Sequence, residues 1–283
     1  MRATFQLSVP ESSDHGIKVL SYNVRVFNVY NHLGKQAKWK SSKDMIDWIV
    51  SEDFDIMCFQ EFYYEPNSKT FNTIYKLKSK RKYYHYFHKM VTNQINGQFG
   101  MAIFSKYKIV NSGVVKFDKT NNQILYVDIL AKGDTIRVYN CHLVSNSLQE
   151  GDVPDARISN ANKSKVRSMA GILKRGFKRR GKQVDILSDH IRSNSKKVIL
   201  CGDLNDLPYS YTYRKLSAGL DNCFEKKGNG FGFSFNGKIP FLRIDNIFVN
   251  DSFNTRKFTT YTNVKYSDHF PISAVIEPHQ EMK

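Results

Sequence analysis

Residues 198–208 read VILCGDLNDLP, an apolar run that ends in a cluster of carboxylates and an amide. The apolar part is suited to a buried strand, and Gly202 allows the chain to turn. Asp203 and Asn205 are two residues apart, so in an extended chain their side chains share one face. Polar groups at the end of a buried strand could belong to a functional site, although Asp and Asn also cap helices. Asp206 falls on the opposite face, which predicts a loop or capping role.

Polar side chains also end other apolar strands of this chain. The candidate site residues are the polar groups at these ends: Asn23, Glu61, His142, Asp203, Asn205, Asp245, Asp268 and His269. In α/β folds ligands bind at the carboxyl ends of the strands, so these side chains are expected to meet at one rim. Buried carboxylates need a cation or good partners. Oxygen ligands without a cysteine favour Mg²⁺ or Mn²⁺ over a structural zinc.

The elements that must position these residues are visible in the hydrophobic periodicity. Strands are predicted in IKVLSYN, FDIMCFQE, YYHYFHKMV, GMAIFSKYKIV, ILYVDIL, TIRVYNCHLV, VILCGDLN, FLRIDNIFV and the end of SDHFPISAVI. Helices are predicted in residues 35–53, FNTIYKLKSK, 162–193 and SYTYRKLSAGL. GMAIFSKYKIV, ILYVDIL and TIRVYNCHLV follow one another too closely for intervening helices and are predicted to be antiparallel neighbours. Because helix-separated strands alternate with hairpin-linked ones, the fold class is α/β with mixed sheets.

The length and composition fit one globular domain. A chain of 283 residues with 41% hydrophobic and 13% aromatic residues can bury a large core. It has four cysteines without a CxxC pair, three of them in apolar runs, which predicts free thiols. No apolar stretch approaches the length of a transmembrane helix, and MRATFQLSVP is not a signal peptide. As given, the chain is expected to be soluble and monomeric.

The net charge is strongly positive, with 43 Lys and Arg against 26 Asp and Glu and a formal charge of +17. Such a field attracts polyanions, including nucleic acid, anionic lipid head groups and phosphorylated small molecules. The basic residues concentrate in residues 163–182, without an acidic residue: Lys163, Lys165, Arg167, Lys174, Arg175, Lys178, Arg179, Arg180 and Lys182. On a helix they form a basic stripe beside an apolar face that includes Phe177. This stripe could follow a nucleic-acid backbone or lie on an anionic membrane, and a solvated helix face is the alternative.

A second basic cluster leads directly into a group of aromatic residues. It consists of Lys76, Lys78, Lys80, Arg81 and Lys82, followed by Tyr83, Tyr84, Tyr86 and Phe87. Basic residues next to aromatic ones fit stacking on bases or a lipid interface. The alternative is that the aromatic rings are half-buried in a strand.

Six short motifs connect these observations: YNVR, QEF, HL, GDLND, RIDNIF and SDHFPI, in this order, between Ile17 and Ile276. Their types and order resemble the motifs of the endonuclease/exonuclease/phosphatase superfamily, which is also described as DNase I-like. The chain is most similar to uncharacterised members from Bacteroidetes. The resemblance implies a four-layer α/β sandwich of two mixed β-sheets flanked by helices, and metal-dependent hydrolysis of a phosphodiester or phosphomonoester.

The resemblance also implies individual roles for the candidate residues. Glu61 resembles the main metal-binding carboxylate, with Asn23 and Asp268 near the same Mg²⁺ or Mn²⁺ ion. Asp203 resembles the residue that orients or deprotonates the attacking water, and Asn205 the amide that holds the scissile phosphate. These five positions imply in-line attack of water on phosphorus.

The remaining positions complete the implied site. His269 resembles an imidazole that contacts phosphate, Asp245 the carboxylate that orients it, and His142 a second catalytic histidine present in several branches. Asp245 could instead pair with Arg243, and the sequence does not identify a carboxylate partner for His142. Asn246 stands where many relatives carry an aromatic residue. It faces away from Asp245 in a regular strand, so we expect the chemistry to be unaffected.

Taken together, the sequence predicts a catalytic domain at residues 17–278, an extension at 1–16 and a tail at 279–283. Many Bacteroidetes relatives carry membrane helices before this domain, so residues 1–16 are expected to follow a membrane anchor. The predicted function is a metal-dependent phosphodiesterase, with a nuclease-type substrate preferred. One alternative is a hydrolase of phospholipid head groups, similar to sphingomyelinases or phosphoinositide phosphatases, at a membrane surface. The other is a polyanion-binding domain without catalysis.

Overall fold

A computed structural model describes residues 4–7, 15–32, 40–118, 120, 122–145, 160–237, 239 and 241–279. The strands in these ranges are β1 (Ile17–Asn23), β2 (Ile56–Tyr64), β3 (Tyr84–Thr92), β4 (Gln98–Ser105), β5 (Lys108–Lys116), β6 (Gln123–Ala131), β7 (Asp134–His142), β8 (Lys197–Asp203), β9 (Asp221–Asn222), β10 (Asp245–Val249), β11 (Phe253–Thr260) and β12 (Ile272–Pro278). The helices are α1 (Lys40–Ser51), α2 (Thr73–Arg81), α3 (Asn160–Arg192), α4 (Tyr211–Ser217) and α5 (Cys223–Lys227), and a 3₁₀ segment spans Arg25–His32.

The strands form two mixed sheets of six strands each. The first sheet has the order β11-β12-β1-β2-β4-β3, and the second has the order β5-β6-β7-β8-β10-β9. In each sheet a parallel pair, β1 with β2 and β7 with β8, lies at the centre and antiparallel strands flank it. The carboxyl ends of each parallel pair therefore lie side by side at one edge of their sheet.

Three apolar cores separate four layers, as the α/β sandwich prediction requires. The alternation of β2 shows how: Ile56 and Cys58 face the core between the sheets, whereas Met57 and Phe59 face the core beneath α1 and α2. A third core lies between the second sheet and helices α3 and α4, where it includes Val184. All four cysteines are buried and free, which confirms the prediction of free thiols.

Most predicted elements are present with shifted ends. Residues 35–39 of the predicted helix at 35–53 lie outside the described ranges, and the described helix α1 spans Lys40–Ser51. The strand predicted in FLRIDNIFV begins only at Asp245, whereas the strand ending in QE continues past Glu61 to Tyr64. Strand β11 and the short elements β9 and α5 were not predicted. Within the described part of the chain, none of the helices combines the length and apolarity needed to cross a bilayer.

The prediction of GMAIFSKYKIV as one strand is wrong. The chain turns after Ser105, so β4 belongs to the first sheet and β5 to the edge of the second. The Lys106 backbone N–H donates to the Asp55 carbonyl, the Lys106 ammonium group contacts the Asp55 carboxylate at 3.0 Å, and the Tyr107 N–H donates to the Ser105 hydroxyl. These bonds fix a turn inside a run whose hydrophobic pattern continues without interruption.

The predicted basic stripe on α3 also needs correction. Arg180 is completely buried, its Nε lies 3.2 Å from Oδ2 of Asp206, and its Nη1 donates to the Val144 carbonyl. Phe177, predicted on the apolar face, is instead 51% exposed. The side chains of Lys163 and Lys165 lie outside what the structure describes. The helix periodicity is right, but the loop after β8 packs on the flank that carries Arg180.

Candidate active site

Three candidate residues lie in one row across the second sheet. In the β7–β8 pair His142 is opposite Asp203, and in the β8–β10 pair Asp203 is opposite Asp245. Asp203 and Asp245 are almost fully buried. Gly202 makes this row possible, because its φ is 147° and a Cβ there would lie 2.0 Å from the Cys141 carbonyl oxygen. Only glycine at position 202 therefore allows β8 to approach β7 this closely beside Asp203.

The first sheet supplies Asn23 and Glu61 to the same place. Asn23 ends β1, and its Nδ2 donates to Oε1 of Glu61 at 3.3 Å and to Oδ2 of Asp203 at 3.2 Å. Its Oδ1 accepts the backbone N–H of Arg25 at 3.1 Å. The Asn23 amide therefore links a carboxylate of one sheet to a carboxylate of the other.

A β-bulge turns Glu61 toward the site. The β2–β4 register shifts between Phe59 and Phe62, and Glu61 has a positive φ of 50°. Asn140 from the opposite sheet supports the bulge, because its Nδ2 donates to the carbonyls of Phe59 and Ala102 at 2.9 and 3.0 Å. The Asn140 Oδ1 accepts from Nε2 of Gln60 at 2.7 Å. A buried amide pair thus fixes the spacing of the two sheets directly behind Glu61.

His269 lies between two carboxylates. Its Nδ1 is 2.8 Å from Oδ2 of Asp245, and its Nε2 is 3.7 Å from Oδ2 of Asp203. Burial alone would lower the pKa of His269, but Asp245 and Asp203 raise it to about 10. The imidazole is therefore protonated at neutral pH, and its Nδ1–H donates to Asp245.

The pKa of Asp203 shifts upward. Burial is the largest cause, and the nearby charge of Asp245 adds to it, whereas His269 and His142 act in the opposite direction. The position of His142, whose carboxylate partner the sequence did not identify, is also clear. Its Nε2 lies 3.8 Å from Oε1 of Glu61 and 3.8 Å from Oδ2 of Asp203.

Asn205 approaches Asp203 by a route that the sequence did not predict. The strand ends at Asp203, and Asn205 has a positive φ of 50°, so the two side chains do not share an extended face. Instead the Asn205 backbone N–H donates to Oδ1 of Asp203 at 2.7 Å, which closes a tight turn. One N–H of the Asn205 amide donates to the Leu143 carbonyl at 2.9 Å and fixes its orientation.

Two serines that the sequence did not single out hold the last part of the site. The Ser267 hydroxyl donates to the Asn23 carbonyl at 2.8 Å and also lies 3.2 Å from Oδ1 of Asp268. The Ser234 hydroxyl accepts the backbone N–H of Asp245 at 3.0 Å. Ser267 lies inside the SDHFPI motif and could have been noticed, whereas nothing in the local sequence marks Ser234. All eight candidate residues thus reach one rim, seven through direct contacts and Asp268 through Ser267.

The alternative partner for Asp245 is not adopted. Arg243 is buried and directs Nη1 to Oδ1 of Asn246 at 2.8 Å and Nη2 to the Tyr213 hydroxyl at 3.2 Å. Asn246 also accepts from Nδ2 of Asn222 at 3.0 Å. Asn246 therefore belongs to a buried polar network on the face of β10 opposite Asp245.

Comparisons with known proteins agree with this geometry. A sequence profile of the Endonuclease/Exonuclease/phosphatase family matches residues 20–269. The chain belongs to this family. Its members are hydrolases that act on phosphoesters, and they generally depend on a divalent metal ion. No curated protein matches the chain in sequence.

Several solved structures share the fold of this family member. An endonuclease/exonuclease/phosphatase from Bacteroides vulgatus aligns with a TM-score of 0.66 and 16% identity, covering 94% of this chain and 100% of that one. The human Nocturnin catalytic domain, solved with a bound sulfate anion, aligns with a TM-score of 0.63 and 18% identity, covering 93% of this chain and 95% of that one. A mannosyl-6-phosphatase from Bacteroides thetaiotaomicron aligns with a TM-score of 0.60 and 17% identity, covering 92% of this chain and 99% of that one. At these identities the likeness demonstrates the DNase I-like fold.

The residues present fit a divalent metal ion. Among the described residues, ligand atoms of Asp203, Asp245 and His269 lie within 4.8 Å of one another. In this trio, however, Nδ1 of His269 is already bonded to Asp245. The Glu61 carboxylate is 38% exposed and lies next to this trio, in contact with Asn23 and 3.8 Å from His142. A set of carboxylate and amide oxygens without thiolates suits a hard cation such as Mg²⁺ or Mn²⁺.

Proposed function

We propose that this protein is a Mg²⁺- or Mn²⁺-dependent phosphodiesterase that hydrolyses its substrate by in-line attack of water on phosphorus. One observation carries the proposal. The buried carboxylate of Asp203 is contacted by Asn23 and lies within 4 Å of both His142 and His269. A carboxylate between two imidazoles and an amide can accept a proton beside groups that stabilise negative charge.

In this mechanism Asp203 accepts the proton of the attacking water. Its raised pKa makes the carboxylate a stronger base than an exposed aspartate, and general bases work best when their pKa is close to the working pH. The N–H of Asn205 fixes one carboxylate oxygen, so the other oxygen faces the histidines. The orientation of the base is therefore set before substrate binds.

His269 stabilises the charge that develops on the phosphate oxygens. Because its pKa is raised to about 10, the imidazolium form persists at neutral pH. Asp245 holds Nδ1, so the Nε2–H is the group that can donate to the phosphate. The second N–H of the Asn205 amide donates to the same phosphate, since the first is bound to Leu143. His142 adds a further imidazole on the β7 side.

Glu61, Asn23 and Asp268 hold the metal ion in this proposal. When bound, the ion supplies Lewis-acid stabilisation of the negative charge on the phosphate oxygens. Ser267 supports this group from behind, because its hydroxyl contacts both the Asn23 carbonyl and the Asp268 carboxylate.

A nuclease-type substrate is preferred because of the charge of the protein. The formal net charge is +17. Within residues 163–182, the described basic side chains other than Arg180 are exposed: Arg167, Lys174, Arg175, Lys178, Arg179 and Lys182. A chain of phosphates would gain from many such contacts, whereas a single phosphomonoester would not. The sulfate bound by human Nocturnin is consistent with an anion site in this fold.

A second candidate function is hydrolysis of phospholipid head groups at a membrane surface. Its support is a row of aromatic rings, of which Phe5, Phe231 and Phe241 are exposed. Phe5 contacts Phe231 at 4.9 Å between ring centroids, Phe231 stacks on Phe233 at 5.2 Å, and Phe233 contacts Phe241 at 5.2 Å. Phe235, two residues after Phe233, contacts the His269 ring at a centroid distance of 5.2 Å. Exposed aromatic patches of this kind mark interaction surfaces.

The proposal is tested by turnover of bis-p-nitrophenyl phosphate with Mg²⁺ or Mn²⁺, with and without EDTA. We expect metal-dependent turnover in the wild type and its loss in Asp203→Ala. If the metal changes turnover equally little in the wild type and in Asp203→Ala, the protein is a polyanion-binding domain without catalysis. Parallel assays on plasmid DNA, single-stranded RNA, sphingomyelin and phosphoinositides then separate the two candidate substrates.

A further inference from the structure

Four consecutive residues directly after β1 adopt a left-handed backbone conformation. The φ angles are 45° for Arg25, 47° for Val26, 52° for Phe27 and 56° for Asn28. The ψ angles of the last three are 31°, 32° and 27°, so residues 25–28 form one left-handed turn. It begins two residues after Asn23, one of the site residues.

This conformation is unfavourable for most of these side chains. Left-handed backbone places Cβ close to the following carbonyl oxygen, and only glycine, Asn and Asp adopt it readily. Val26 is β-branched and Phe27 is bulky, and for such side chains a left-handed backbone is especially unfavourable. Strained backbone of this kind persists where the surroundings enforce it, and it is concentrated at ligand-binding sites.

The surroundings of the turn do enforce it. The Phe27 ring is buried and contacts the Phe62 ring at a centroid distance of 5.3 Å. The Phe27 carbonyl accepts the Ser42 hydroxyl at 2.6 Å, and the Asn28 Nδ2 donates to the Tyr266 carbonyl at 2.6 Å. The turn is therefore clamped between the strand that carries Glu61 and the segment that leads to Asp268.

The turn places Arg25 at the edge of the site. The Arg25 backbone N–H bonds to Oδ1 of Asn23, and its Nε lies 3.5 Å from Oδ2 of Asp268. About half of the Arg25 side chain, 49%, is exposed, and the Asp268 side chain is 33% exposed. An ion pair this exposed contributes little to stability, so it does not by itself account for a strained turn that is held from several sides.

We propose that Arg25 binds the phosphate of the substrate, and that the left-handed turn exists to hold its guanidinium at this edge. The inference rests on the proposed phosphodiesterase function. The guanidinium offers five N–H donors in a planar fork that matches phosphate oxygens. Four carboxylates, Glu61, Asp203, Asp245 and Asp268, repel an incoming phosphate. The Arg25 guanidinium at the exposed rim, 3.5 Å from the Asp268 carboxylate, offsets that repulsion.

The proposal is tested by measuring the affinity of inorganic phosphate in the presence of Mg²⁺ at fixed ionic strength. Binding is followed by calorimetry and, independently, by competitive inhibition of bis-p-nitrophenyl phosphate turnover. We expect Arg25→Gln to weaken phosphate binding by about tenfold or more, the usual effect of losing a charged hydrogen bond, and to raise KM similarly. Arg25→Lys should restore part of the affinity, because the ammonium group keeps the charge but not the fork.

Arg256→Gln is the matched control. Arg256 is also a partly exposed arginine in a carboxylate pair, with Nε 2.8 Å from Oε2 of Glu277, and it lies on β11 away from the rim. The Arg256→Gln variant should therefore bind phosphate with the same affinity as the wild type. If Arg25→Gln binds phosphate as tightly as the wild type and only its melting temperature falls, Arg25 is merely an ion-pair partner of Asp268 and the proposal is wrong. A wild type without metal-dependent turnover would contradict the proposed function instead, and the calorimetry would still report on Arg25.

Discussion

His269 and Asp245 form a buried imidazolium–carboxylate pair, with Nδ1 of the histidine 2.8 Å from Oδ2 of the aspartate. The two residues are 24 positions apart and come from a loop and from the start of β10. The pair leaves Nε2 as the donor that faces Asp203, at 3.7 Å. Because Asp245 and Asp203 outweigh the effect of burial, the pKa of His269 rises to about 10.

Replacing Asp245 with Asn should remove most of this effect. We expect kcat to fall about 10²- to 10⁴-fold, the range for loss of a positioned acid or base, and the pKa of His269 to fall. NMR titration of the His269 ring measures that pKa without turnover. Protonation of His269 stabilises the wild-type fold below the unfolded pKa of about 6.5, and this contribution is lost as pH rises through about 10. The stability difference between wild type and variant should therefore narrow at high pH.

A surface variant provides the control for Asp245→Asn. Asp185 of α3 is partly exposed and accepts a hydrogen bond from the Tyr211 hydroxyl of α4, so Asp185→Asn should change neither kcat nor the His269 titration. An unchanged pKa of His269 in Asp245→Asn would show that this carboxylate does not hold the imidazolium form.

Glu61→Gln tests the assignment of the metal-binding carboxylate. The substitution keeps the size of the side chain and removes its charge, so we expect Mg²⁺ or Mn²⁺ to bind at least about tenfold more weakly. Calorimetric titration with the metal alone measures this without substrate. Glu277→Gln, near the end of β12 that lies away from the site, is the control and should bind the metal as the wild type does. Wild-type affinity in Glu61→Gln would place the metal on other residues.

Arg179 and Arg180 are neighbours in sequence with opposite environments. Arg180→Gln leaves Asp206 buried without its cation, and breaking a buried pair costs about 3–5 kcal/mol, so the melting temperature should fall steeply. Arg179 is exposed, so Arg179→Gln should leave the melting temperature unchanged and weaken binding to a DNA or heparin column. Equal melting temperatures for the two variants would contradict the buried position of Arg180.

Val26→Gly tests the strain in the left-handed turn. An ordinary half-buried valine contributes packing that glycine lacks, but here glycine also relieves a left-handed conformation that costs about 1–2 kcal/mol. We expect the free energy of unfolding to stay within about 1 kcal/mol of the wild type, while phosphate affinity falls because Arg25 is less firmly held. Val29 packs against the same core without a positive φ, so Val29→Gly should be clearly destabilising. Equal losses of stability in the two variants would show that the turn is not strained.

Several features of this protein are local, and the sequence was sufficient for them. Asn23, Glu61 and Asp203 each lie at the end of an apolar run that predicts a strand. The direction of Glu61 is an exception to this local rule, because it depends on a β-bulge that Asn140 of the other sheet supports. The order of the six motifs predicted the family and, with it, the two-sheet fold. The glycine before Asp203 was recognised as a turn residue, and the structure shows that the reason is the approach of Cys141.

Other features depend on which distant segments meet, and only the tertiary structure decided them. Local periodicity does not change at Ser105, yet strand pairing sends β4 and β5 to different sheets. Arg180 looks like its exposed neighbours on a basic helix, and only the packing of the loop with Asp206 buries it.

The left-handed turn at Arg25 has no sequence signal, because its strain is balanced by Phe62, Ser42 and Tyr266 far along the chain. Thus the sequence determined which side chains are available for chemistry at the strand ends. Long-range packing and hydrogen bonds determined how those side chains face one another, because the free energy of such contacts is fixed only when the two sheets assemble.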